Sequence, residues 1–173
     1  MHTDLNKTKL ILGYILLVLV LIFVWSELLM GADYMYWDAP KKFATIALAN
    51  ITNQGDRPEA SQPLVLYTNG DAEISADTGT AAQLKSASND TLVTEYRLTF
   101  SGDGTTKTGA AATSYQSYEQ FLTPLHSVVI THVADYNDVT VTLHVRASNY
   151  ANDLADAGTY TATQTLTVHW VGP

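Results

Sequence analysis

Any chemistry in this chain would have to come from its histidines and carboxylates. There are five His. His2 precedes a long apolar run, and His126, His132, His144 and His169 stand singly in stretches of strand character. None shows the i, i+4 spacing of a helical metal pair or an HxH alternation. His144 and His169 fall on the polar faces of two late strands, where a shared ladder would allow at most a two-ligand surface site. Single histidines on strand faces are ordinarily solvated, and the four are read that way. Asp135, Asn137 and Asp138 in one turn, with Asp153 and Asp156 in the next loop, could gather oxygen ligands for Ca²⁺. They lack EF-hand spacing and its turn glycine, so carboxylates that bond their own turn backbone account for them. No Gly-x-Ser-x-Gly, HExxH, glycine-rich phosphate loop or zinc spacing occurs. Cys is absent, which removes disulfides, thiolate metal sites and a lipidated N-terminal Cys. No catalytic residue, metal or cofactor is expected, and an enzyme is the reading least supported.

The elements around these residues begin with LILGYILLVLVLIFVW, Leu10 to Trp25, which carries no charge and continues past Ser26 and Glu27 to Met30. A hydrocarbon core of about 30 Å needs roughly 20 helical residues, so the run is long enough to span. Lys7 and Lys9 precede it while Glu27, Asp33 and Asp38 follow. The positive-inside rule therefore puts residues 1–9 in the cytoplasm and the rest of the chain outside the inner membrane. A cleaved signal is the competing reading, but the apolar region is long for one and Met30-Gly31-Ala32 makes a poor small-x-small cleavage site. We expect a retained transmembrane helix over 10–31. Glu27 lies near its outer end, either snorkelling to the headgroups or meeting a neighbouring membrane subunit. Tyr34, Tyr36 and Trp37 follow as an aromatic border of the kind that sits at headgroup level, in an interfacial linker 32–41 closed by Pro40.

From Asp33 onward there are 15 carboxylates (17 in the chain less Asp4 and Glu27) against 7 basic residues (9 less Lys7 and Lys9). A domain so acidic is a poor partner for nucleic acid, which requires clustered Lys and Arg. About 130 residues suffice for one domain, 42–173. Lys42 to Ile51 suggests a first strand with Ala44, Ile46 and Leu48 on one face, and Asn53 to Pro63 a loop. Asn69-Gly70 between 64–68 and 72–76 predicts a hairpin with a type I′ turn. In 91–100, Leu92, Tyr96, Leu98 and Phe100 alternate with Val93, Glu95, Arg97 and Thr99. The span 110–122 fits either a helix or a short irregular strand. His126 to Ala134 and Val139 to Val145 form a second predicted hairpin, 149–158 an acidic loop, and 158–171 one long final strand. Six to eight short strands at this spacing imply an all-β, antiparallel sandwich behind one N-terminal helix.

The pieces PLVLYTNGDAEIS, EYRLTFSG and AGTYTATQTLTV resemble bacterial spore-coat-U-like and related pilin-like β-sandwich domains. The resemblance spans Lys42 to Val171 and implies an immunoglobulin-like or pilin-like extracytoplasmic structural module, with nothing catalytic. The secreted members of that group have their signal removed, whereas a spanning helix is expected here. With chemistry absent, contact area becomes the candidate function. Tyr supplies rigid amphipathic surface at interfaces. Glu27, Tyr34, Tyr36, Trp37, Tyr115 and Tyr118 are the interface candidates, with Tyr136 and Tyr150 also in or beside loops. The chain reads as an accessory subunit of an integral-membrane complex, its partners the bilayer and other membrane subunits. The alternatives are a pilin-like filament or virion subunit, or a tethered ligand-binding module.

Overall fold

The computed structural model describes residues 33–102, 114–123, 127–131 and 137–172. The expected spanning helix 10–31, the cytoplasmic segment 1–9, Glu27, His2, His126, His132, Asp135 and Tyr136 lie outside the described residues. Among the described residues no helix is long and apolar enough to cross a membrane. Every one of them except Asp33 belongs to the second of two compact units, Met1–Asp33 and Tyr34–Pro173.

That unit is all-β and its sheets are antiparallel. A large sheet holds β1 (Met35–Trp37), β2 (Glu59–Thr68), β8 (Asn137–Ser148), β5 (Val93–Gly102) and β6 (Gln116–Ser117), in that spatial order. A small sheet has the order β10 (Leu166–Gly172), β3 (Asp71–Ala76) and β7 (Val128–Ile130), and a ribbon pairs β4 (Lys85–Ser86) with β9 (Tyr160–Thr161). β8 is the spine: ten residue pairs join it to β2 on one side and ten to β5 on the other. The strict alternation of Val139, Val141, Leu143, Val145 and Ala147 with Thr140, Thr142, His144 and Arg146 is what such a strand requires, one face buried and one wet. Leu66, Leu98, Val139 and Val141 of the large sheet join Ala72, Ile74, Val128 and Ile130 of the small one in a single core.

Both predicted hairpins are corrected by the pairing. Asn69-Gly70 joins strands of different sheets, and neither residue has the positive φ of a type I′ turn. Gly70 is needed instead for close approach, because a Cβ there would collide with the Trp170 ring and the Gly172 carbonyl. The corner is held by buried Thr68, whose Oγ1 donates to the Gly70 carbonyl at 2.7 Å and accepts from the Gly70 N–H at 3.2 Å. β7 and β8 likewise part company, β7 pairing with β3 and β8 with β2 and β5. Turn chemistry marks where a chain reverses, not which sheet it joins.

Three boundaries also move. The expected loop 53–63 contributes the first five residues of β2; Pro63 is tolerated because β1 covers only 66–68, leaving β2 an edge strand where an absent N–H costs nothing. The expected strand 42–51 joins no ladder. Ala44, Ala47 and Ala49 give it weak strand preference, while Phe43, Ile46 and Leu48 pack against the core. The final strand is broken: Thr163 N–H donates to Ala81 O at 2.7 Å and Asp77 N–H to Thr165 O at 2.9 Å as the chain passes from the ribbon to the small sheet. The ambiguous 110–122 is neither a helix nor one strand where described, but β6 followed by a turn that buries Phe121 and Leu122.

Candidate functional site

The small sheet covers only part of the large sheet's inner face. Beyond it, Leu64, Leu92, Tyr96, Leu143, Val145 and Ala147 floor a cleft of about 1250 Å³ walled by residues 41–52 and 154–166. The wall segment 43–51 makes no backbone hydrogen bond among the described residues. Its N–H and C=O groups are therefore available to water or to another chain. The opposite wall is tied down at points: Asp90 Oδ2 accepts from the Asp156 N–H at 2.6 Å and from the Tyr160 hydroxyl, and Asn149 Oδ1 accepts from the Ala155 N–H at 3.2 Å. Those two bonds, the larger from Tyr160, hold the Asp90 carboxyl below its ordinary value. Desolvation and the same bond push the Tyr160 phenol up to about 12.

Chemically the cleft is quiet. Its charged lining residues are Lys41, Lys42 and Asp156, all exposed at its margin. Tyr96, on the floor, donates its hydroxyl to the Ala82 carbonyl at 2.6 Å, and burial raises that phenol to about 12, far from any role as a base near neutrality. What the lining offers is apolar side chains and open backbone, the means of holding an extended polypeptide or an apolar ligand.

The large sheet's outer face carries two further clusters at opposite ends of β2, about 26 Å apart at ~3.3 Å per residue between Tyr67 and Glu59. At the first, Tyr36 stacks on Tyr67 with centroids 5.2 Å apart, and Tyr34 lies 6.0 Å from Tyr36. Trp37, the third member of the expected aromatic border, points the other way: it sits opposite Leu66 on the inner face and meets Phe43 edge-on at 6.2 Å. The alternation of β1 forces this split, since adjacent residues face opposite sides. The segment expected as the linker 32–41 thus contains a strand of the sheet, Met35–Trp37. At the second cluster the Tyr115 ring lies between the guanidinium groups of Arg97 (4.8 Å) and Arg146 (4.2 Å), with its hydroxyl on Glu59 Oε2 at 3.1 Å. Arg146 is paired with Glu95 at 2.7 Å across the ladder. Burial, then the Glu59 bond, raises the Tyr115 phenol. Tyr118 packs partly on the core and donates to Glu119 at 3.1 Å; burial raises its phenol as well. Tyr150 is exposed and its hydroxyl accepts from Gln83 Nε2 at 3.1 Å.

His144 and His169, considered as a ligand pair, are on different sheets; His144 bonds the Thr99 hydroxyl at 2.8 Å, with its pKa lowered by burial and then by Arg97, and His169 is exposed opposite Glu73. Of the Ca²⁺ candidates, Asp138 lies near one end of β8 and Asp153 beyond the other, with about 33 Å of strand between Asp138 and Ser148. Among the described residues no group of three or more potential metal ligands occurs. Sequence reasoning missed Tyr67, Arg97 and Arg146, whose neighbours are set by strand pairing, and it missed the cleft, which exists because 43–51 forms no ladder. No protein-family model matches the chain, and no curated protein matches it.

Proposed function

We propose that this chain is a non-catalytic accessory subunit of an integral-membrane assembly, a β-sandwich of immunoglobulin-like or pilin-like kind tethered by one N-terminal helix on the outer side of the inner membrane. The observation that carries the reading is the cleft: a long apolar floor beside a wall of unladdered backbone, with no reactive constellation in it. An extended segment of a partner subunit finds there both apolar contacts and backbone groups to pair with. The length of the apolar run supports the tether, and Lys7 and Lys9 immediately before it support the orientation. The test is extraction of the native protein in mild detergent followed by native mass measurement. Co-migration with other membrane subunits, lost when Leu143→Lys puts a charge on the cleft floor of a chain that still folds, is the expected result; a chain that always runs as a lone monomer sinks the proposal. The cleft volume, larger than the ~300–1,000 Å³ of ordinary small-molecule pockets, favours one second reading, a tethered module for a bulky extracytoplasmic ligand.

A further inference from the structure

We infer that the exposed ring of Tyr36, backed by Tyr34 and Tyr67, seats the β1 end of the large sheet in the phospholipid headgroup layer. The inference rests on the proposed tether and adds the domain's footing. Three residues, Gly31 to Asp33, separate the apolar run from Tyr34. At no more than ~3.6 Å per residue, four steps reach about 14 Å from Met30 to Tyr34. The headgroup region adds only about 5–8 Å on each side of the hydrocarbon, so the first folded residue starts at or just above it.

Tyr34 cannot trail loosely from that point. Its N–H donates to Asn69 Oδ1 at 2.9 Å and its carbonyl accepts from the Asn69 N–H at 3.3 Å, which locks it to the corner between the two sheets. Met35–Trp37 is then laddered to Leu66–Thr68. The tyrosines are thus fixed to the sheet and tethered close to the bilayer at the same time. Tyr36 is 46% exposed although it stacks on Tyr67, so an aromatic surface stands open on the outer face. An apolar ring with a polar hydroxyl suits the boundary between acyl chains and water. The occupant is lipid because chain continuity with the apolar run brings this patch, and not the Tyr115 cluster about 26 Å away, to headgroup depth.

The absence of Cys allows a direct depth measurement on the full chain in phosphatidylcholine vesicles. A nitroxide on Asp138→Cys, next to Tyr67 in the β2–β8 register, leaves all three tyrosines intact, and one on Asn152→Cys reports an exposed loop beyond the far end of β8. Power saturation with oxygen and a water-soluble nickel chelate should show the residue-138 label losing most of its nickel accessibility relative to the residue-152 label. Tyr36→Ser with Tyr67→Ser should restore it. Equal nickel accessibility at 138 and 152 with the tyrosines present overturns the proposal, and so does a residue-138 label screened from oxygen and nickel alike, which would mean protein covers the patch. Release of the chain by alkaline carbonate overturns the tether itself, a different result from either.

Discussion

The inner face of the large sheet is closed in two different ways. Under the small sheet, Leu66, Leu98, Val139 and Val141 are completely buried, roofed by strands whose own backbone is hydrogen-bonded. Toward the ribbon, Leu92, Tyr96, Leu143 and Val145 retain 3–6% exposure, because their roof is the unladdered 43–51 and the point-anchored 154–165 across a cleft. Both regions share the same β2–β8–β5 ladders, so the difference lies wholly in the cover. Burying side chains and pairing backbone are separate achievements, and only the first region has both. A region with side-chain cover alone keeps donors and acceptors for a partner, and it opens at lower free energy than the rest.

The sharpest way to break this comparison is to truncate one leucine in each region. Leu98→Ala, fully buried under the small sheet, should cost about 3–5 kcal/mol by denaturant unfolding, while Leu143→Ala, beside space that already exists, should fall near 2 kcal/mol, the bottom of the usual range. Equal costs would mean the cleft closes in solution and the contrast is lost. Next in size is Gly70→Ala, which drives a methyl group into Trp170 and the Gly172 carbonyl and should cost about 1–3 kcal/mol. Adding Trp170→Leu should return part of that loss; no recovery would shift the blame to the backbone.

Tyr96 tests the cleft floor through pH. Burial raises its phenol to about 12 against an ordinary 10, so the folded state favours the neutral form. That stability is complete below pH ~10 and is lost as pH climbs from ~10 to ~12. Tyr96→Phe should flatten this alkaline slope while costing about 1–2 kcal/mol at neutrality, since the Ala82 carbonyl loses its donor. Tyr160 titrates in the same window, so Tyr160→Phe is measured beside it; an unchanged slope in Tyr96→Phe would show the floor to be wetter than its burial implies.

Alternation made most of the large sheet legible. The even residues from Leu92 to Phe100 and the odd ones from Val139 to Val145 turn inward as their pattern requires, because a half-buried strand writes its two faces directly into the sequence. Strand partners are not written there, so Asn69-Gly70 read as a hairpin and proved to be a corner between sheets. Residues 42–51 misled for the opposite reason: Ile46 and Leu48 carry strand-like spacing, yet no neighbouring strand lies alongside to complete a ladder. The site was least legible. Tyr36 stacks on Tyr67 from 31 positions away, and Trp37 leaves the aromatic border for the core, both consequences of register that spacing within 34–37 does not contain.

The smallest expected effect concerns the better-anchored wall of the cleft. Asp90 accepts from Tyr160 and from the Asp156 N–H, and both bonds favour its ionised form. A carboxyl held below its ordinary 3.8 contributes stability above that pH and loses it as pH falls through the lowered value, so the tie holds at neutrality and slackens only in strong acid. Hydrogen exchange along 155–161 reads this without requiring the domain to unfold. Asp90→Asn should raise exchange in that wall at pH 7, leave β5 and β8 protected, and leave 43–51 as fast as before, since that segment has no ladder to lose. If exchange in 155–161 stays unchanged, the wall is held by its packing, and the two sides of the cleft are more alike than their hydrogen bonds suggest.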